Sequence, residues 1–240
     1  MRFKFFPFCY VIFAIVFISS CKKNDDDEPQ KTTATTYNCI NGNCETAGTN
    51  GAYSNLSNCQ NNCGFIACPS SITDSDGNSY PVVQIGDQFW TAENLKTTRF
   101  ADGSVIPNVT SVDAWINLST PAWCNYENNE ANDSIYGKLY NWYTVADPRN
   151  LCPTGWHVPS DSEFTILIDF LGGDSIAGGK MKATVGWQTA NNGATNESGF
   201  LGLPGGSRYS YYGEFFNVGN NGYWWSSSET STTTAWYHFL

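Results

Sequence analysis

The stretch Cys152–Leu167, CPTGWHVPSDSEFTIL, sets a cysteine, a histidine and two acids within a dozen positions. Such a set can ligate a metal, relay a proton between His157 and a carboxylate, or shape a scaffold. Local signals favour the scaffold. Pro159 ends the extended segment Trp156-His157-Val158. Ser160-x-x-Glu163 is a capping box, in which the serine hydroxyl accepts from the Glu163 backbone N–H and the glutamate reaches back. Asp161 falls in the first turn, where a negative charge meets the helix dipole favourably. Phe164, Leu167, Ile168 and Leu171 then recur at helical spacing, and Gly172-Gly173 stops the run. The chain has 2 histidines, and His238 is remote from His157 in sequence, so no local histidine pair marks a metal site.

Other chemistry-bearing residues also have structural roles open to them. Asp74, Asp76 and Asn78 match the D-x-D-x-N opening of a calcium loop, but Ile85 stands where the bidentate glutamate belongs, and a turn is expected instead. The sequence carries no G-x-S-x-G elbow, H-E-x-x-H pair or phosphate-binding loop, and LPGGSRYS at 203–210 is expected to be a turn. No metal and no cofactor is expected. Widely spaced carboxylates leave a glycosidase pair open, so an enzyme remains a third-ranked reading. The segment YSYYGEFFNVGNNGYWW offers a different chemistry. The rings of Tyr209, Tyr211, Tyr212, Trp224 and Trp225 can stack on sugars, while Asn220 and Asn221 can bond to hydroxyls. Successive strand residues face opposite ways, so one of Trp224 and Trp225 is expected in the core. The Glu-Pro-Asn and Gln-Pro-Asp signatures of calcium-dependent lectins are absent.

The elements that position these residues follow from composition and pattern. The 240 residues carry a formal net charge of −10, only 14% are charged and 15% are aromatic. That apolar content can bury a core. The acidic balance and the lack of a basic stripe exclude a nucleic-acid partner, whose phosphates demand Lys and Arg. Asp76-Gly77 is a hairpin turn flanked by Tyr80, Val82, Val83 and Ile85. A second turn at Gly86-Asp87 leads to Phe89 and Trp90. Over 136–145, Tyr136, Leu139, Tyr140 and Tyr143 stand at i, i+3, i+4 and i+7 and predict a short amphipathic helix.

The N-terminal third reads differently. Arg2 and Lys4 precede an apolar run from Phe5 to Ile18, the pattern of a cleaved signal peptide over residues 1–20. Ile18-Ser19-Ser20-Cys21 resembles a lipobox and makes Cys21 the expected lipidation site, with membrane lipid as partner. The acidic and Thr-rich residues 21–36 are an expected solvated tether. Of the 9 cysteines, Cys9 lies in the leader. Cys39, Cys44, Cys59 and Cys63 follow a C-x4-C-x14-C-x3-C pattern. In an exported chain these are disulfide candidates, as are Cys68, Cys124 and Cys152. Residues 37–68 are too few for a core of their own and are expected to be a small disulfide-stapled module with its pairing open.

The main stretch, residues 69–240, also carries a family resemblance. VVQIGDQFWTAENLKTTRFADGSVIP, YGKLYNWYTV, LCPTGWHVPSDSEF, AGGKMKAT, ESGFLGLPGGSR and GYWWSSSE stand in the order seen in the Fibrobacter succinogenes major paralogous domain. Members are typically tethered surface proteins without an assigned activity. More distantly, GWHVPSDSEF is similar to the RLPTEAEW stretch of formylglycine-generating-enzyme-like domains. That likeness implies an α+β fold of the C-type-lectin-like kind, with short irregular strands, few short helices and long loops. Members of the Fibrobacter succinogenes family usually continue past the position of Trp236–Leu240 into a strand containing a cysteine. The resemblance therefore implies a C-terminally truncated chain in which Cys124 or Cys152 lacks a partner. It further implies a Bacteroidota outer-membrane lipoprotein facing the cell surface. In that setting Asp133-Ser134-Ile135 and Asp174-Ser175-Ile176 resemble O-glycosylation motifs. The expected function is non-catalytic recognition of a glycan or surface protein. The alternatives are a display module without a small ligand, and a formylglycine-generating-enzyme-like or glycosidase-like enzyme.

Overall fold

The structure, a computed structural model, describes residues 69–188 and 191–240, together with the backbone of four short strands upstream. The rest of the expected leader, the tether, the lipidation site Cys21 and the cysteines Cys59, Cys63 and Cys68 lie outside the described residues. The chain divides into two compact units, residues 1–17 with 70–240, and residues 18–69. In the larger unit two strands precede the main stretch, β1 (Phe8–Cys9) and β2 (Ile15–Val16). In the smaller unit β3 (Tyr37–Ile40) and β4 (Asn43–Thr46) form an antiparallel hairpin whose register sets the Cα of Cys39 opposite that of Cys44.

The larger unit mixes small antiparallel sheets with a few short helices. β5 (Ser71–Thr73), β6 (Ser79–Ile85) and β7 (Gln88–Thr91) fold as consecutive hairpins, and β2 adds to the outer edge of β7. The calcium-like residues build the first turn. Asp74 Oδ1 accepts the backbone N–H groups of Asp76 and Asn78, both at 2.9 Å, and its Oδ2 accepts the Tyr80 hydroxyl. Asp76 in turn accepts from Thr97, Thr98 and Arg99. Burial raises the Asp76 pKa, but the bonds from Thr98, Thr97 and Arg99 outweigh it and hold the carboxyl below its ordinary range. These carboxylates are occupied as turn and loop anchors.

A five-residue helix, α1 (Val112–Ile116), is capped by Ser111 and buries Trp115. The segment 136–145 departs from the expected helix. β8 (Trp123–Cys124) pairs with β9 (Leu139–Tyr140), while α2 (Asp133–Tyr136) ends before it and α3 (Trp142–Val145) begins after it. Gly137, at φ +71°, closes α2, and its Cα sits where a Cβ would meet the Leu95 carbonyl at 2.7 Å. Asn141 then caps α3 by accepting from the Thr144 backbone N–H. Local periodicity lost to the cross-strand pairing of Leu139 with Cys124 and of Tyr140 with Trp123.

The helix expected after Ser160 forms as α4 (Asp161–Phe170), with both halves of its capping box present. It is followed by α5 (Asp174–Met181). The remaining strands are β10 (Gly205–Tyr209), β11 (Phe215–Val218), β12 (Tyr223–Ser231) and β13 (Thr234–Phe239). β10 pairs antiparallel with β11 on one side and β1 on the other, and β12 pairs with β13. The core gathers Trp90, Trp115, Leu139, Phe164, Leu167 and Phe200 between these sheets and α4 and α5.

Candidate functional site

The β10–β11 hairpin carries a cluster of aromatic rings that face solvent at its tip. Arg208 pairs with Phe215 across the hairpin, and the Tyr209 backbone N–H donates to the Glu214 carbonyl at 2.7 Å. The four-residue tip Ser210–Gly213 closes when the Gly213 N–H donates to the Tyr209 carbonyl. Gly213 has φ +71°, and a Cβ there would meet Val112 Cγ1 at 2.9 Å. Only glycine lets the tip lie against α1 in this backbone conformation.

On that tip Tyr211 is 68% exposed, Tyr212 59% and Phe216, on β11, 39%. The rings form a chain of contacts. Tyr211 meets Tyr212 edge-on at 4.9 Å, Tyr212 lies 5.6 Å from Tyr209, and Tyr209 meets Phe216 at 6.3 Å. Val112 and Ile116 of α1, exposed beside the tip, extend the apolar surface. A contiguous exposed patch of this kind marks an interaction surface more often than scattered apolar residues do.

Arg208 holds the patch in place from beneath. It is 0% exposed. Its Nε donates to the Gly213 carbonyl at 3.0 Å, Nη1 to Val109 at 2.7 Å and Nη2 to Thr110 at 2.9 Å. Its guanidinium lies over the Trp115 ring at 4.2 Å and the Phe215 ring at 4.9 Å. One side chain thus ties the tip, the lead into α1 and β11 together, as a rigid planar donor can and a flexible ammonium cannot. Burial pushes the neighbouring Cys124 thiol up to about 12, against an opposing pull from Arg208. The sequence reading missed Arg208, Phe216, Val112 and Ile116. Arg208 alone had a visible signal, as a lone cation in the otherwise uncharged run Phe200–Gly213.

The other residues singled out from sequence fall elsewhere. Trp224 and Trp225 are each only 1% exposed. The Trp224 indole N–H donates to Asn94 Oδ1 at 3.1 Å and that of Trp225 to the Tyr140 carbonyl at 2.9 Å. Both faces of β12 are covered at Trp224 and Trp225, so neither tryptophan offers a stacking platform, and the expectation of one solvent-facing ring is corrected. Asn220 and Asn221 sit in the turn after β11, at the end opposite the tip. The four-residue strand β11, roughly 13 Å long, lies between them and the tip. Asn220 is exposed there, while Asn221 is partly buried and donates to the Leu240 carbonyl. The disulfide candidates Cys124 and Cys152 are both free and buried; burial also raises the Cys152 pKa.

The acid–histidine cluster is a helix-terminus assembly. His157 Nε2 lies 2.8 Å from Glu163 Oε1, and His238 Nε2 lies 3.2 Å from Asp161 Oδ1 while its ring stacks on Phe164 at 4.1 Å. Both histidines therefore meet carboxylates in the first turn of α4. Burial raises the Glu163 pKa, but bonds from His157 and Ser160 outweigh it and hold the carboxyl below its ordinary range. Among the described residues no group of three or more His, Cys, Asp and Glu is placed to hold a metal, and no helix is long and apolar enough to cross a membrane.

Compared with known proteins, residues 83–240 match the family model described as the Fibrobacter succinogenes major domain. No curated protein and no solved structure matches the chain.

Proposed function

The chain belongs to the Fibrobacter succinogenes major domain family, and from that premise we propose that it is a tethered recognition protein whose hairpin-tip tyrosines bind carbohydrate or another surface ligand. The observation that carries this reading is the exposed ring cluster of Tyr211, Tyr212 and Phe216, braced by the buried Arg208. Rigid aromatic anchors supply contact area at little conformational cost, because a tyrosine has only two side-chain torsions to fix. A surface already fixed before binding avoids part of the ordering penalty of association. The fold is of the C-type-lectin-like kind, in which irregular loops present a ligand surface. Cys21 carries the lipid, and the acidic residues behind it hold the domain clear of the outer membrane on its external face. The domain does no chemistry on its ligand.

The test is affinity electrophoresis of the purified protein through gels containing a panel of polysaccharides, with the tyrosine variants run beside it. The reading expects retardation by at least one polysaccharide, lost in Tyr211→Ala and Tyr212→Ala. Equal mobility in every gel would leave a display module without a small ligand as the better account.

A further inference from the structure

We infer that the ligand of the tyrosine surface is an uncharged polysaccharide, a step that rests on the recognition reading above. Among the described residues the surface has no cation to offer an acidic ligand. Arg208 is the cation whose contacts reach the hairpin tip, and it is wholly buried, with its donors on three carbonyls and its faces on two rings. The other described cations are engaged within the fold. Lys96 pairs with Glu93 at 2.7 Å, Arg99 with Asp76 at 3.0 Å and Lys138 with Asp133 at 2.7 Å. Arg149 pairs with Asp147 at 2.8 Å and Lys180 with Glu197 at 3.4 Å. Lys182 lies over the Trp187 ring at 4.1 Å, and that indole is itself bonded to the Gly202 carbonyl. None of these pairs includes a residue of the patch.

An anionic ligand would also meet repulsion. Asp113 in α1 and Glu214 at the hairpin tip are exposed next to Val112 and Gly213. Their fields reach roughly 8–10 Å at physiological salt, across a patch of this size. A cationic ligand would be drawn to those acids, but what the patch presents is ring and aliphatic surface from Tyr211, Tyr212, Phe216, Val112 and Ile116. The complement to that chemistry is a sugar's C–H face packed on a ring, with its hydroxyls bonded to the tyrosine O–H groups. Such binding releases no counterions and carries little salt dependence.

The experiment compares each polysaccharide that binds with its own carboxymethylated and amino-substituted derivatives, at about 0.02 and about 0.5 M NaCl. The unsubstituted protein supplies the charge order, so no variant has to fold for that comparison. The neutral form should bind equally at both salts, with binding abolished in Tyr211→Ala at unchanged melting temperature. The carboxymethylated form should bind about tenfold more weakly at low salt and recover at high salt. Tyr211-dependent binding that favours either charged derivative overturns the inference while leaving the recognition reading standing. Absence of tyrosine-dependent binding to any member overturns both.

Discussion

Arg208 is a charge placed where water cannot reach it, and its surroundings show how that is tolerated. Buried charges require partners. Here three backbone carbonyls from separate segments and two aromatic faces take that role. Removing the side chain orphans the carbonyls of Gly213, Val109 and Thr110. Arg208→Ala should therefore cost about 3 kcal/mol or more in chemical denaturation, and Arg208→Lys should recover only part, because an ammonium cannot span all three acceptors. The tryptophans belong to the same scale. Trp224→Ala leaves a core void and loses a bond to Asn94, and should cost about 3–5 kcal/mol. Tyr211→Ala, at an exposed tip, should change stability by less than about 0.5 kcal/mol. Denaturant midpoints of the variants check this contrast between a core ring and a surface ring. Cys124 and Cys152 are predicted to resist alkylation in the native protein and to react once it is unfolded, as peptide mapping would locate.

At the scale of elements, α4 ties its capping to acidity. The folded Glu163 carboxyl sits below its ordinary value near ~4.3, so its stabilising effect is fully present above that value and is lost as pH falls through the lower, folded one. Stability should therefore decline below about pH 5, and Glu163→Gln should flatten part of that decline in pH-dependent thermal melts. The same helix was legible in the sequence because each of its signals is local, from the Ser160–Glu163 box to the Gly172-Gly173 stop. The turn at Asp76-Gly77 was legible for the same reason. The segment 136–145 was not, because Leu139 and Tyr140 are claimed by pairing with Cys124 and Trp123. Trp224 and Trp225 misled because alternation along a strand identifies opposite faces without saying that both are covered. The proposed ligand surface was half legible. Tyr211 and Tyr212 stand in a run of aromatics, but Val112 and Ile116 join them only through contacts about a hundred residues apart in the chain, such as those of Arg208 with Val109 and Thr110.

For the whole molecule, the account joins an acidic domain with engaged cations to a lipid tether at Cys21. Cys21→Ser should release the protein from the membrane fraction and abolish labelling by fatty acid, while the soluble product keeps its polysaccharide binding. Family membership identifies the domain, and the exposed tyrosines over a buried arginine are the face proposed to bind. The most direct measurement is hydroxyl-radical footprinting of the protein with and without a polysaccharide that binds it. The account predicts that Tyr211 and Tyr212 are strongly modified alone and protected in the complex, with Trp224 and Trp225 unreactive in both. Saturating ligand that leaves Tyr211 and Tyr212 as reactive as before would contradict it.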